Sequence, residues 1–189
     1  MRKNLGVKSY LYPMPVLIIA SYDEAGKADA MNAAWGSVCD SDKVALYLSH
    51  KHKTVKNILA RKAFTVSMAD AAHVAEADYV GIVSGNDTPD KMEKSGLHTV
   101  KSDKVDAPMI TELPLTLECK LVSYDAESEC MIGEIVNVSA DEAILGADGT
   151  IDLTKFQPIA LDPANHTYLK LGEKVGNAFS DGCELTRET

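Results

Sequence analysis

Residues 16–35 read VLIIASYDEAGKADAMNAAW, and this stretch contains two strand signals separated by a turn signal. The first five residues form a short, β-branched-rich apolar run, which is typical of a strand buried on both faces. Tyr22 to Lys27 then predicts a hairpin turn in which Gly26 is free to adopt a positive φ. A second strand is expected from Ala28 to Trp35, so the stretch predicts a β-hairpin.

Further strand signals follow, with a few short helices between them. A helix is expected near Thr54, which we predict to be its N-cap, with Lys56, Asn57 and Arg61 facing outward. Because strands and helices do not alternate regularly, a doubly wound parallel sheet is disfavoured. We predict one domain spanning residues 1–189, mainly β, with a β-barrel and flanking helices. The further strands are expected at 43–48, 64–68, 115–121 and 131–138, and the further helices after Asp70 and from Asp87 to a stop at Gly96.

The charge and the apolar pattern argue against several classes of protein. The 189 residues have a formal net charge of −9, and an acidic surface repels phosphate backbones, so no nucleic-acid partner is expected. No apolar run approaches the roughly 20 residues of a membrane span, and Met1 to Lys8 is not followed by a long apolar segment. We therefore expect a cytoplasmic protein that does not enter a membrane.

The cysteines are scattered and form no C-x-x-C pair, so neither a zinc site nor a dithiol motif is expected. We predict reduced thiols, with Cys119 and Cys130 on strands. The histidines also suggest no metal site, because His50 and His52 have no obvious third ligand nearby.

The strongest local cluster is Ser49-His50-Lys51-His52-Lys53-Thr54, which lies between a predicted strand and a predicted helix. A helix N-terminus offers free N–H groups and a partial positive charge, and both favour anions. In a chain of net charge −9, this excess of positive charge is unusual, and a phosphate monoester is the ligand it suits. The alternative is a solvated basic surface at the start of a helix.

Two other segments could contact a ligand. Residues 28–37 have mostly small side chains, which would let a flat ligand such as isoalloxazine approach the backbone. The alternative is a strand whose small residues pack against a helix. Residues 83–91 form a Gly-containing loop before a helix, with Lys91 as a possible cationic arm, although an ordinary helix-opening turn explains the loop equally well.

Taken in order, blocks along nearly the whole chain resemble the flavin reductase-like FMN-binding proteins of the flavoredoxin type. Each block is weak alone, and their order gives the resemblance its specificity. The blocks are Tyr12 to Val16, Asp23 to Lys27, Ala30 to Gly36, Ser49 to Ile58, Lys62 to Val66, Ala75 to Gly81, Ser84 to Lys91, Val105 to Pro108, Leu117 to Cys119, Gly133 to Ile135 and Tyr168 to Phe179.

The resemblance implies a split β-barrel, a homodimer, and one FMN near the subunit interface. Ser49, His50, Lys51 and Thr54 would hold the phosphate, and Lys91 would also reach the cofactor. The flavin would be lined, largely through the backbone, by Asp29, Ala30, Met31, Asn32, Ala33, Ala34 and Trp35.

Two positions depart from the family pattern. Some relatives have a histidine near the flavin before the block at Gly133, where this chain has Glu127-Ser128-Glu129-Cys130. Position 29 is Asp where related chains often have Asn, and an acidic group beside reduced flavin disfavours a negative charge on it. These differences affect the expected redox potential and partner, not the expected binding of FMN.

Three functions stay open at this point. The first is an NAD(P)H-dependent reductase that passes electrons through FMN to a flavin, ferric or protein acceptor. The second is a non-enzymatic FMN electron carrier that takes electrons from a protein partner. The third is a binding module that uses the same barrel for haem or pyridoxal phosphate. The sequence does not distinguish NADH from NADPH, and no side chain is expected to act as a catalytic acid or base.

Overall fold

The structure, a computed structural model, describes residues 1–186 and is built mainly of β-strands. The helices in this range are α1 (Lys53–Arg61), α2 (Val74–Ile82) and α3 (Lys91–Ser95), with 3₁₀ turns at Glu142–Ile144 and Asp181–Thr186. The strands are β1 (Met14–Pro15), β2 (Leu17–Tyr22), β3 (Ala28–Ala33), β4 (Gly36–Asp40), β5 (Lys43–Tyr47), β6 (Ala63–Met68), β7 (Thr99–Lys101), β8 (Pro108–Ile110), β9 (Leu115–Asp125), β10 (Cys130–Ala140), β11 (Ile159–Asp162) and β12 (Thr167–Lys170).

One antiparallel sheet of seven strands organises the molecule, in the order β3-β2-β6-β9-β10-β5-β4. β1, β11 and β12 form a smaller sheet, and β7 pairs with β8. No helix in the described residues is both long and apolar enough to cross a membrane.

The large sheet must curl, because its two edge strands are neighbours in the chain. β3 and β4 lie at opposite edges and are joined only by Ala34 and Trp35. Six strand spacings of about 4.8 Å would separate these edges by about 29 Å in a flat sheet. The link from Ala33 to Gly36 reaches at most about 11 Å, so the sheet closes into a half-barrel. The predicted mainly β barrel with flanking helices is confirmed.

The first four residues of β2, 17–20, are all apolar because both faces of the strand are covered. Leu17 and Ile19 pack in one core cluster with residues of α1, and Ile18 and Ala20 pack in a second cluster with residues of α2. Burying each large apolar side chain contributes about 1.5–3 kcal/mol. The predicted strand, buried on both faces, is therefore confirmed.

The predicted hairpin turn is also confirmed. Gly26 has a φ of 80°, and the Asp23 carboxylate accepts hydrogen bonds from the backbone N–H groups of Ala25 and Lys27. The second strand, however, ends at Ala33 rather than Trp35, because the chain crosses there to the opposite edge of the sheet. Strand β4 was missed by the sequence analysis.

Several predictions about helix ends were wrong. The N-cap of α1 is His52, and Thr54 lies in the first helical turn. Asn57 faces inward and is 7% exposed, because the helix packs against β2. Helix α2 begins at Val74, while Asp70 instead holds the preceding turn by accepting from backbone N–H groups. The predicted stop of α3 at Gly96, with a φ of 75°, is confirmed.

Candidate functional site

Strand β3 has side chains that are already used by the core. Met31 packs in the cluster beside α1, and Asn32 donates to the Ala77 carbonyl in α2 at 3.0 Å. β3 is an edge strand, so in the described residues one side of its backbone pairs with β2 and the other side has no partner strand. In the described residues, the part of β3 without a strand partner is therefore its outer backbone edge.

The junction between β5 and α1 forms an open helix N-terminus. Its N-cap residue, His52, makes no side-chain capping hydrogen bond, and the first turn contains no acidic residue. The first N–H groups of a helix have no partner within the helix. This end of α1 therefore combines unused donors with the positive end of the helix dipole.

Thr54 is buried at this junction and is already engaged. Its hydroxyl donates to Oδ2 of Asp29 at 2.6 Å, and its carbonyl accepts from the Ser21 hydroxyl at 3.3 Å. A hydroxyl has a single proton to donate. The Thr54 hydroxyl is therefore occupied by Asp29. The donor of Thr54 that is left for a ligand is its backbone N–H.

Lys91 has a position that sequence reasoning could not foresee. The residue is only 3% exposed, and its ammonium has no hydrogen-bond or ion-pair partner among residues 1–186. Burial lowers its pKa, the charge of Asp29 opposes that change, and the charge of Lys53 adds to it. Loss of hydration and the charge of Lys91 both lower the pKa of His52, so the ammonium acts directly on the α1 N-terminus.

Most of the Lys91 side chain is buried, but its ammonium nitrogen is not fully buried: in the described residues the fully buried side-chain atom without a hydrogen-bond partner is Nδ2 of Asn57. Partial burial of an ion still costs free energy unless a counter-charge or hydrogen bonds offset it. Lys91 and the open N-terminus of α1, together with Lys53, whose ammonium lies 3.5 Å from Oδ2 of Asp23, form a candidate anion site, which we call the α1 anion site.

Two further residues, Glu129 and Asn86, also lie at this site. Glu129 places Oε1 3.3 Å from Nδ1 of His50, and Asn86 donates to the Lys51 carbonyl at 3.0 Å while accepting from Lys56 at 3.0 Å. Asn86 belongs to the loop 83–91 that the sequence pattern indicated, whereas Glu129 comes from a distant hairpin and no local pattern identifies its contact with His50. His50 and Lys51 themselves are exposed.

A cavity of about 1020 Å³ opens at the far end of β3. Ala34 and Trp35 line it together with apolar side chains such as Leu17 and Leu117 and the N-terminal segment 8–15. The Tyr12 hydroxyl donates to Asp162 and fastens this segment to the small sheet. The two segments selected from the sequence are thus connected: β3 begins at the α1 anion site and leads to an apolar cavity.

Comparison with known proteins gives consistent matches. A family model described as “Flavin reductase like domain” matches residues 9–160. The chain is similar to flavoredoxin of Desulfovibrio vulgaris (Miyazaki F), with 37% identity and a TM-score of 0.92 over 96% of this chain and 100% of that one. It is also similar to flavoredoxin from Methanosarcina acetivorans, with 26% identity and a TM-score of 0.87 over 97% and 100%. An FMN-binding domain of a flavin reductases-like enzyme from Shewanella baltica OS155 shares the fold, with 20% identity and a TM-score of 0.78 over 86% and 88%.

Proposed function

The chain belongs to the flavin reductase-like domain family, and from this membership we propose that it binds one FMN and transfers electrons through it. Bound flavin supplies the redox chemistry, and the protein supplies binding, orientation and electrostatics. The flavoredoxins to which the chain is similar support a role in electron transfer.

The observation that carries FMN, rather than a flavin without phosphate, is Lys91, whose side chain is largely buried. Its charge acts on His52 at the open N-terminus of α1, and no counter-charge is hydrogen-bonded to it in the described residues. A phosphate monoester supplies that counter-charge and accepts from helix N–H groups. Ser49, His50 and Lys51 would add donors, whereas Thr54 would contribute its backbone N–H because its hydroxyl is held by Asp29.

The proposed place for the ring system is the backbone edge of β3, including Asp29 to Ala33, with Ala34 and Trp35 at the cavity. The polar edge of a flavin matches backbone N–H and C=O groups, and the side chains of this strand are committed to packing or to Thr54. The described residues contain no strand that competes for this edge.

The proposed electron donor is NAD(P)H, and the acceptor is a flavin, a ferric compound or a protein. The alternative is an electron carrier that is reduced by a protein partner and does not use NAD(P)H. A homodimer with FMN near its interface and a cytoplasmic location belong to the same proposal. Family membership disfavours the haem and pyridoxal phosphate alternatives.

Two measurements test the proposal. FMN fluorescence should be quenched on titration with the protein, and riboflavin should bind much more weakly; absence of flavin binding would refute the proposal. Anaerobic bleaching of the flavin absorbance by NADH or NADPH would identify the reductase. Bleaching by a reduced ferredoxin-type donor but by neither nucleotide would identify the carrier.

A further inference from the structure

The tip of the β9–β10 hairpin reaches the α1 anion site. Leu48, just after β5, donates its backbone N–H to the Glu129 carbonyl at 2.9 Å. Glu129 has a φ of 56°, a conformation that L residues rarely adopt. This backbone geometry fixes the residue beside the segment from Ser49 to Thr54.

The Glu129 carboxylate faces the donors that a phosphate would use. Its Oε1 lies 3.3 Å from Nδ1 of His50. The pKa of Glu129 is lowered, chiefly by the Ser49 hydroxyl and also by the ring and the backbone N–H of His50. Loss of hydration opposes this change. The carboxylate thus contacts His50 and interacts electrostatically with Ser49, two of the four residues proposed for the phosphate.

We propose that Glu129 is an internal competitor for the α1 anion site, and that FMN must displace its carboxylate from Ser49 and His50 in order to bind through its phosphate. The inference rests on the proposed function and adds a residue that sets FMN affinity. The Nδ1–H of His50 and the Ser49 hydroxyl each have one proton to donate, so a carboxylate and a phosphate compete for these two donors, and their like charges repel. Glu129 therefore weakens the binding of phosphate-bearing flavins and leaves riboflavin unaffected.

The test compares Glu129→Gln with Glu127→Gln in the full chain. Glutamine keeps the length of the side chain and removes its charge. Glu127 is an exposed acid on the same hairpin turn, so its variant controls for the change in net charge. FMN and riboflavin affinities are measured by fluorescence quenching, and inorganic phosphate is titrated as a competitor of FMN. Thermal unfolding verifies that both variants are folded.

We expect Glu129→Gln to tighten FMN binding by about twofold to fivefold, the range for removing one partly exposed charge beside an anion. Inorganic phosphate should compete at a correspondingly lower concentration, while riboflavin affinity stays the same. Glu127→Gln should change neither flavin. Unchanged or weaker FMN binding in Glu129→Gln, or an equal gain in Glu127→Gln, would overturn the proposal.

Flavin binding by the wild-type protein distinguishes a failure of this inference from a failure of the proposed function. If it binds no flavin, the proposed function fails. If it binds FMN and riboflavin equally, the phosphate assignment fails. If it prefers FMN and Glu129→Gln does not sharpen that preference, only the competitor role is refuted.

Discussion

Two buried charges in this protein have opposite surroundings. Glu118 in β9 is 2% exposed and accepts hydrogen bonds from Ser102, from Asn137 at 2.6 Å and from Ser139 at 2.5 Å. Lys91 is 3% exposed, and its ammonium has no such partner in the described residues. Burial alone would raise the pKa of Glu118, but its hydrogen bonds lower it on balance. The charge of Glu118 is fully hydrogen-bonded and stabilises the fold. The charge of Lys91 has no hydrogen-bond partner in the described residues and leaves a position for an anionic ligand.

Removing the hydrogen-bonded charge of Glu118 should have the largest effect on the protein, a loss of stability. Glu118→Ala leaves the buried Ser102 hydroxyl and the half-buried donors of Asn137 and Ser139 without this acceptor, and we expect the free energy of unfolding to fall by about 3 kcal/mol. Urea denaturation measures it. The control is Glu134→Ala in β10, an exposed position, which should change stability by about 0.5 kcal/mol or less. Equal losses of stability in Glu118→Ala and Glu134→Ala would show that the buried charge of Glu118 has no special structural role.

Removing the charge of Lys91 should weaken FMN binding and leave stability unchanged or higher. Lys91→Met keeps an unbranched apolar stem and deletes the ammonium, so the protein should be at least as stable as the wild type. FMN affinity should fall about 30-fold, which corresponds to about 2 kcal/mol for a charged hydrogen bond. Riboflavin affinity should be unchanged.

The matched control for this variant is Lys94→Met on the same helix, where the ammonium is exposed and pairs with Asp90 at 3.0 Å. Its FMN affinity should equal that of the wild type. A loss of stability in Lys91→Met, with no loss of FMN binding, would mean that Lys91 is a structural residue.

The pH dependence of stability tests whether the ionised form of Glu118 is the one that stabilises the fold. Its pKa is lower in the folded state, so its contribution is complete above the ordinary value of about 4.3 and is lost as pH falls through the folded-state pKa. We expect Glu118→Gln to destabilise the protein by about 1–2 kcal/mol near pH 6 and by less than half of that near pH 3. A constant difference across this range would contradict the assignment.

The smallest effect is expected at Thr54. Because its hydroxyl donates to Asp29 at 2.6 Å, it is not available to phosphate. Thr54→Val should therefore change the ratio of FMN to riboflavin affinity by less than about threefold, while Thr54→Ser should match the wild type. A selective loss of FMN binding as large as that of Lys91→Met would show that the hydroxyl serves the phosphate after all.

Much of the fold and part of the site could be predicted from local patterns. The alternation of strand and turn signals in residues 16–35 identifies the first hairpin, and the charge of residues 49–54 identifies a basic helix start. The depth of Lys91 could not be predicted, because a lysine on a short polar helix normally faces solvent. The contacts of Glu129 and the use of the Thr54 hydroxyl could not be predicted either, because both depend on contacts between segments far apart in the chain.

The β9–β10 hairpin also has a consequence for the order of folding. Strands β2, β3 and β6 can form one partial sheet, and β4 and β5 another, from residues 17–68 alone. The later hairpin enters between β6 and β5 and joins the two parts. Because closing long loops slows folding, insertion of this hairpin is the expected rate-limiting step. The half-barrel, and with it the position of Glu129 against His50, is then completed in a single late event.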